Sequence, residues 1–495
     1  MIPTMSDLPH QLYRATQVRQ LDRVAIEEFK IPGLTLMERA GKVAFSALQQ
    51  HYPKARNIAV MCGVGNNAGD GFVVARLAAE AGMNPIVYHV GDKSKLKGDA
   101  LQAYQELTKT GVKTLGYTDA DLSSAQVIVD ALLGTGLHGD VSGEWRAAIE
   151  TINRCGRPVI ALDIPSGLHA DTGRILGAAV QTAITVTFIG LKQGLFTAQG
   201  PDVCGEIIYA DLEVPAQVFA GVLPSAQRLD SYVLQKLGRR SRGAHKGHFG
   251  HVMVIGGERG MSGAARMAGE AAARVGAGLV SIATRAEHAA ILSSACPELM
   301  CHGVENKRQL RPLLDKANVI AVGPGLGQGP WAQELFGAAL ETDLPIVVDA
   351  DGLNLLANEP VRKDNWILTP HPGEAARLLN SQAGKIQLDR FAAIRDLQQR
   401  YGGVVVLKGA GTLVSGMDLG ISLCSDGNPG MASGGMGDVL TGVISGLLAQ
   451  GLSLKDAANA GVYLHAVAGD RAARFGERGM LATDLMQEVR FLINV

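Results

Sequence analysis

Runs that read as strands alternate with runs that read as helices along almost the whole chain, and a glycine-rich turn follows most of the strands. Parallel strands need crossover connections, usually helices, so this alternation predicts α/β architecture. Strands are expected at 57–62, 85–90, 127–130, 158–163, 185–189 and 207–210. A second series is expected at 251–255, 278–283, 318–322, 345–349, 365–369, 403–407, 411–414 and 420–424. Helices are expected over 16–29, 35–52, 70–81 and 99–110, and near the end over 438–450 and 455–475.

The alternation breaks once. Val214-Pro215 ends an ordered stretch, residues 221–227 contain Gly, Pro and Ser, and polar residues continue through Arg239-Arg240-Ser241-Arg242. Two domains are therefore expected, 1–222 and 223–495, in keeping with a chain of 495 residues. A formal net charge of −1, with no long run of either sign, argues against nucleic acid or an anionic membrane as the main partner. Six scattered cysteines form no CxxC pair and read as reduced thiols. No apolar stretch approaches the roughly 18 residues of a membrane span, and no signal-peptide pattern opens the chain. A cytoplasmic location is expected.

Ligands of such folds collect at the carboxyl ends of the strands. In the first domain Gly63-Val64-Gly65-Asn66-Asn67-Ala68-Gly69-Asp70-Gly71 follows a strand and leads into a helix. It lacks the Gly-Lys-Ser/Thr ending of a Walker A loop and departs from the dinucleotide fingerprint. The alternative is a plain turn with left-handed asparagines. Two further strand ends carry Asp130 and Asp163-Ile164-Pro165-Ser166. Asn67, Asp130, Asp163 and Ser166 thus fall along one sheet edge. Oxygen groups of this kind suit a hard cation, monovalent more than magnesium, or a polar ring substituent.

In the second domain the strand ends read Gly256-Gly257, Gly323-Pro324-Gly325-Leu326-Gly327, Asp349-Ala350-Asp351-Gly352, Thr369-Pro370-His371-Pro372-Gly373-Glu374 and Leu407-Lys408-Gly409-Ala410-Gly411-Thr412. His371, between prolines, is a substrate contact or a rigid turn element. Lys408 is a partner for a phosphate or hydroxyl, or a solvated turn lysine. Last comes Asn428-Pro429-Gly430-Met431-Ala432-Ser433-Gly434-Gly435-Met436-Gly437-Asp438, before an apolar helix. Bare amides at a helix N-terminus beside one carboxylate suit a transferring phosphoryl group and a base. Asp438 is then that base, or else only a helix cap.

In this combination and order the motifs resemble the bacterial bifunctional NAD(P)H-hydrate repair enzymes. These join a YjeF N-terminal-type epimerase to a ribokinase-like carbohydrate-kinase domain that acts as a dehydratase. The resemblance implies an N-terminal Rossmann-like three-layer sandwich and a C-terminal ribokinase-like α/β domain. It implies an isomerase that interconverts the R and S forms of hydrated NADH and NADPH (NADHX and NADPHX), and a lyase that restores NAD(P)H from the S form. Epimerase substrate contacts are implied at Asn66, Asn67, Ala68, Gly69 and Asp70, at Gly134, Thr135, Gly136, Leu137, His138, Gly139 and Asp140, and at Asp163, the candidate acid/base. A potassium ion is implied at Asn67, Asp130 and Ser166. The family loop often reads Asn-Asn-Gly-Gly-Asp-Gly, so Ala68 is a departure that matters only where φ is positive.

For the dehydratase the resemblance implies substrate contacts from Ala264, Gly325, His371 and Asp438, with Asp438 catalytic. Nucleotide contacts are implied from Lys408, Gly409, Ala410, Gly411, Thr412 and Gly437. ADP is the implied phosphoryl donor, with Mg2+ on its phosphates, leaving AMP and phosphate. A homo-oligomer is expected. The competing expectations are a ribokinase-like small-alcohol kinase with a regulatory N-terminal domain, and a non-catalytic nucleotide- or partner-binding protein.

Overall fold

A computed structural model describes residues 8–418 and 420–494; residues 1–7, 419 and 495 of the expected domains lie outside it. Contacts divide the chain into two compact units, Met1–Gln227 and Arg228–Val495.

Among the described residues the first unit is built on a sheet of seven parallel strands. Across the sheet they run Lys113–Gly116, Asn84–His89, Asn57–Cys62, Val127–Ala131, Val159–Leu162, Ile184–Phe188 and Glu206–Ala210. Strand order reverses between Asn57–Cys62 and Val127–Ala131, which opens a crevice beyond their carboxyl ends. Alternate side chains of Asn57–Cys62 feed opposite layers. Ile58, Val60 and Cys62 pack beneath the helices Gly33–His51, Asn66–Glu80 and Gly98–Lys109. Ala59 and Met61 join Ala148, Ile149 and Ile152 of the helix Gly143–Arg154 on the other side. The result is a three-layer sandwich. A short ribbon pairs Tyr13 with Lys192 and leads into the helix Ala15–Glu27.

Among the described residues the second unit carries a run of nine strands in the order Met300–Gly303, Leu279–Thr284, His251–Ile255, Val319–Val322, Ile346–Val348, Trp366–Leu368, Val404–Leu407, Thr412–Ser415 and Ile421–Cys424. The first seven are parallel and the last two antiparallel. The order reverses between His251–Ile255 and Val319–Val322. There the Gly257 amide donates to the Pro324 carbonyl at 3.1 Å. The helices Ser262–Arg274 and Met436–Ala449 lie in close contact: a Cβ on Gly442 would stand 2.1 Å from the Ala268 carbonyl oxygen. Gly442 on the apolar helix Met436–Ala449 is therefore a packing requirement.

Two expectations shift. The helix expected over 70–81 begins at Asn66, so the Asn-Asn stretch is its first turn and not a loop. The strands Lys113–Gly116 and Met300–Gly303 had no expected counterpart. Both are sheet edges, short and only partly buried, which blurs the hydrophobic signal. Among the described residues no helix is long and apolar enough to cross a membrane.

Candidate active sites in the two units

In the first unit the crevice is a cavity of about 710 Å³. Asn66, Asn67, Asp70, Gly134, Thr135, Gly136, Leu137, His138 and Asp163 all line it. Ala68, Gly69, Gly139 and Asp140 do not line it. Ala68 and Gly69 are buried under the helix, where a Cβ on Gly69 would meet Met37 Sδ at 2.5 Å. Ala68 has helical backbone and does not appear among the positive-φ residues, so its methyl group costs no strain. Gly65 is the N-cap and offers no side-chain cap, and Gly65, Asn66 and Asn67 of this helix start line the cavity.

Asp163 directly follows the strand Val159–Leu162, with φ +66°. Its Oδ1 accepts from Lys192 Nζ, and the Phe188 amide lies 3.4 Å from the same oxygen. Lys192 is fully buried and also donates to Thr187 Oγ1 at 3.0 Å and to the Phe188 carbonyl at 2.9 Å. Asp22, on the helix Ala15–Glu27, faces the same cavity. Burial pushes its carboxyl up to about 6, with Lys192 opposing and Asp163 adding to the rise. Burial, with Asp163 and Asp22 nearby, lifts Asp70 well above the carboxylate range. Lys192 and Asp22 escaped the sequence reading. Lys192 had a signal, as the lone charge in Ile184–Phe196; Asp22 sits in an ordinary amphipathic helix and had none.

Asp130 and Ser166 meet. Asp130 Oδ1 accepts from Ser166 Oγ at 2.6 Å and from the Leu132 amide at 3.2 Å, and Oδ2 accepts from the Ser166 amide at 2.8 Å. Burial pushes Asp130 up to about 6 against these bonds. Asn67 joins through the Leu133 carbonyl, to which its Nδ2 donates at 3.3 Å while Ser166 Oγ lies 3.2 Å away. Asn67 Oδ1 is buried with no hydrogen-bond partner.

In the second unit Asp438 is the third residue of the helix Met436–Ala449. The N-cap is Gly435, at φ +92°, with no side-chain cap, so the cap alternative for Asp438 fails. Burial pushes Asp438 up to about 7, Asp349 adds to the rise and Lys408 opposes it. Beneath the helix end, Lys408 Nζ contacts Asp349 Oδ1 at 2.7 Å and lies 3.8 Å from Glu374 Oε2. Burial works against the charge on Lys408, yet Asp349 and Glu374 hold its ammonium above its ordinary range. The solvated-turn alternative therefore fails as well. Burial also works against ionised Asp349, but Lys408, Thr369 and Thr441 hold its carboxyl low; Thr441 Oγ1 donates at 2.9 Å. Burial pushes Glu374 up to about 7, with Lys408 opposing.

His371 is the N-cap of the helix Pro372–Leu378. Its Nδ1 accepts from the Gly373 amide at 2.9 Å, and Glu374 Oε2 accepts from the His371 amide at 2.8 Å, closing a reciprocal cap. The rigid-turn alternative thus describes the Nδ1 edge. Burial lowers the affinity of the half-exposed imidazole for a proton, and Lys408 adds to this. Gly325 and Ala264 sit together at the strand-order reversal: a Cβ on Gly325, at φ +57°, would stand 3.1 Å from Ala264 Cβ. Gly409, Ala410 and Gly411 form the turn between Val404–Leu407 and Thr412–Ser415. Arg390 Nη2 holds that turn through the Leu407, Lys408 and Gly411 carbonyls at 3.1, 3.3 and 3.4 Å. Gly437 is bare on the side facing Lys408: an added Cβ would stand 3.2 Å from its Nζ. Glu374, Arg390 and Asp349 complete the site; Asp349 and Glu374 lay within quoted strand ends but were given no role, and Arg390 came from a helix with no motif.

Residues 33–194 match the family model described as YjeF-related protein N-terminus, and residues 252–490 the model described as NAD(P)H-hydrate dehydratase. The chain is 51% identical to a bifunctional NAD(P)H-hydrate repair enzyme of Coxiella burnetii, over 98% of this chain and 99% of that protein. It is 43% identical to an Escherichia coli protein of the same description, over 98% of this chain and 95% of that protein. A solved ribokinase-like superfamily protein of Enterococcus faecalis is similar at 30% identity and a TM-score of 0.51, over 54% of this chain and 95% of that one.

Proposed function

The chain belongs to the bifunctional NAD(P)H-hydrate repair enzymes, and from that premise we propose how its two sites divide the work. The first unit interconverts the R and S forms of hydrated NADH and NADPH. The second dehydrates the S form to NAD(P)H, consuming ADP and releasing AMP and phosphate. The observation that carries this reading is Asp438: uncapped, at a bare helix N-terminus and pushed up to about 7.

A base near the working pH suits proton transfer from a hydroxyl. Asp438 takes the proton of the ring hydroxyl as that oxygen attacks the terminal phosphorus of ADP, and AMP leaves. The Gly435–Gly437 backbone and the helix end stabilise charge on the phosphoryl oxygens. Phosphate then departs with the C–O bonding pair, and loss of a proton from the neighbouring ring carbon restores the double bond. Lys408 keeps Asp349 as a fixed anion beneath the base, and the Gly409–Thr412 turn, braced by Arg390, receives the nucleotide. Ala264, Gly325 and the Nε2 edge of His371 border the substrate.

Magnesium would enter with the donor's phosphates. Magnesium neutralises charge on those phosphates. In the first unit Asn67, Asp130 and Ser166 would hold potassium, and the partnerless Asn67 Oδ1 supports that fit. Potassium supplies fixed positive charge at the cavity edge. The lining residues Asn66, Asp70 and Gly134–His138 receive the hydrated cofactor, and Asp163 exchanges a proton with it.

The test is the full-length protein with the S form of hydrated NADH and ADP. Reduced nicotinamide should reappear together with one AMP and one phosphate. Phosphorylation of a small alcohol with no return of reduced nicotinamide would overturn the reading in favour of a kinase.

A further inference from the structure

Asp22 lies outside every motif at the strand ends, yet it faces the epimerase cavity. Its helix, Ala15–Glu27, follows the ribbon in which Tyr13 pairs with Lys192, and buries Val18, Leu21 and Ala25. The charged or titratable groups around the cavity are Arg19 and Asp22 of this helix, Asp70, Asp99, His138 and Asp163, with Lys192 behind Asp163.

Lys192 has three ammonium hydrogens. Its three acceptors are Asp163 Oδ1, Thr187 Oγ1 and the Phe188 carbonyl. None remains for Asp22 or Asp70, and neither of these accepts a hydrogen bond from a described residue. One fully buried cation therefore serves Asp163 while Asp22 and Asp70 share the same partly desolvated space, with Arg19 and Asp99 also on the cavity wall, and such a group of carboxylates retains a proton.

Inversion at the hydroxyl-bearing carbon needs two proton sites. In ring opening the hydroxyl proton leaves as the C=O bond forms, and the C–N bonding pair moves to nitrogen, which takes up a proton. Reclosure on the other face reverses both transfers, so each acid of one direction is the base of the other. Asp163 serves one of these transfers. We propose that Asp22 is the second acid–base residue of the epimerase, serving the other. This rests on the first unit being the epimerase.

The test uses the full chain, ADP and pure R or pure S hydrated NADH, with recovery of reduced nicotinamide as the readout. Asp22→Asn should slow recovery from the R form about 100-fold or more and leave recovery from the S form unchanged. The carboxylate form of Asp22 accumulates as pH rises through about 6. Wild-type turnover of the R form should therefore climb across that range, and the climb should be missing in Asp22→Asn. Asp22→Glu should regain part of the rate together with the climb. Wild-type R turnover in Asp22→Asn overturns the proposal, as does a slow variant that keeps the wild-type pH climb, because Asp22 would then act only on structure. If a thermal melt shows Asp22→Asn unfolded, Asp22→Glu decides alone: a folded variant with an unchanged rate and pH profile overturns the proposal, and a lower rate with a displaced climb supports it. If wild-type protein turns over the R form no faster than buffer alone while the S form is dehydrated, the epimerase reading itself falls, whatever Asp22 does.

Discussion

Each unit places one lysine, fully buried in the first and partly buried in the second, among three carboxylates, but they distribute its charge differently. In the second unit Lys408 and the hydroxyls of Thr369 and Thr441 fix Asp349 as an anion, and Glu374 and Asp438 are each left near 7. In the first unit Lys192 is used up by Asp163 and two other oxygens, and the carboxyls of Asp22 and Asp70 accept no hydrogen bond from a described residue. The lesson is shared. A single lysine pairs closely with one carboxylate, and desolvation raises the proton affinity of the neighbouring ones. Only the second unit sets its titrating carboxylate directly on a bare helix N-terminus, where a phosphoryl group gains most.

The largest effect is expected where the two sites should be independent. Asp438→Asn should lower dehydration of the S form by about 10²–10⁴-fold, with ADP affinity, measured by calorimetry, changed only a few-fold. Wild-type dehydration in this variant would remove the base from the second site. Asp163→Asn is the matching break in the first site. Conversion of R to S should fall by about 100-fold with dehydration of the S form untouched; an unchanged rate would leave Asp163 as a mere partner for Lys192.

Lys408→Met sharpens the electrostatic half of the comparison. Lys408 lowers the affinity of Asp438 for its proton, so its loss should move the rise of activity from about 7 to higher pH. A kcat–pH profile that stays in place would show that Lys408 does not tune the base. Arg390→Met should destabilise the protein by about 2–4 kcal/mol, because buried carbonyls lose their donor. It should also raise the KM for ADP more than it lowers kcat; equal effects on both would place the turn away from the nucleotide. The smallest effect is expected at Ala68→Gly, about 1 kcal/mol of helix stability on thermal or urea unfolding. A gain in stability would mean that this position prefers a non-helical backbone.

Legibility followed the distance over which each signal acts. The strands 57–62 and 251–255 were readable to the residue, since a buried parallel strand is a short apolar run ended by glycine. The first turn of the helix Asn66–Glu80 was not, because Asn, Gly and Asp favour turns until tertiary packing pulls them into the helix. Asp438 stood out because it ends a motif, and Asp163 because it closes an expected strand. Lys192 could have been found as a lone charge in an apolar run, whereas Asp22 and Arg390 lie in helices whose patterns look like any amphipathic surface.

The sequence by itself determined the alternation, the glycines that let strand ends approach one another, the carboxylate at the bare helix end and the family that these together describe. It could not decide which carboxylate would hold which lysine. Asp349 and Lys408 are 59 residues apart, and Asp163 and Lys192 are 29 apart. Their charges interact only after the sheets bring strand ends side by side. The proton affinity of Asp22, Glu374 and Asp438 is likewise a property of burial, which no residue carries in its own chemistry.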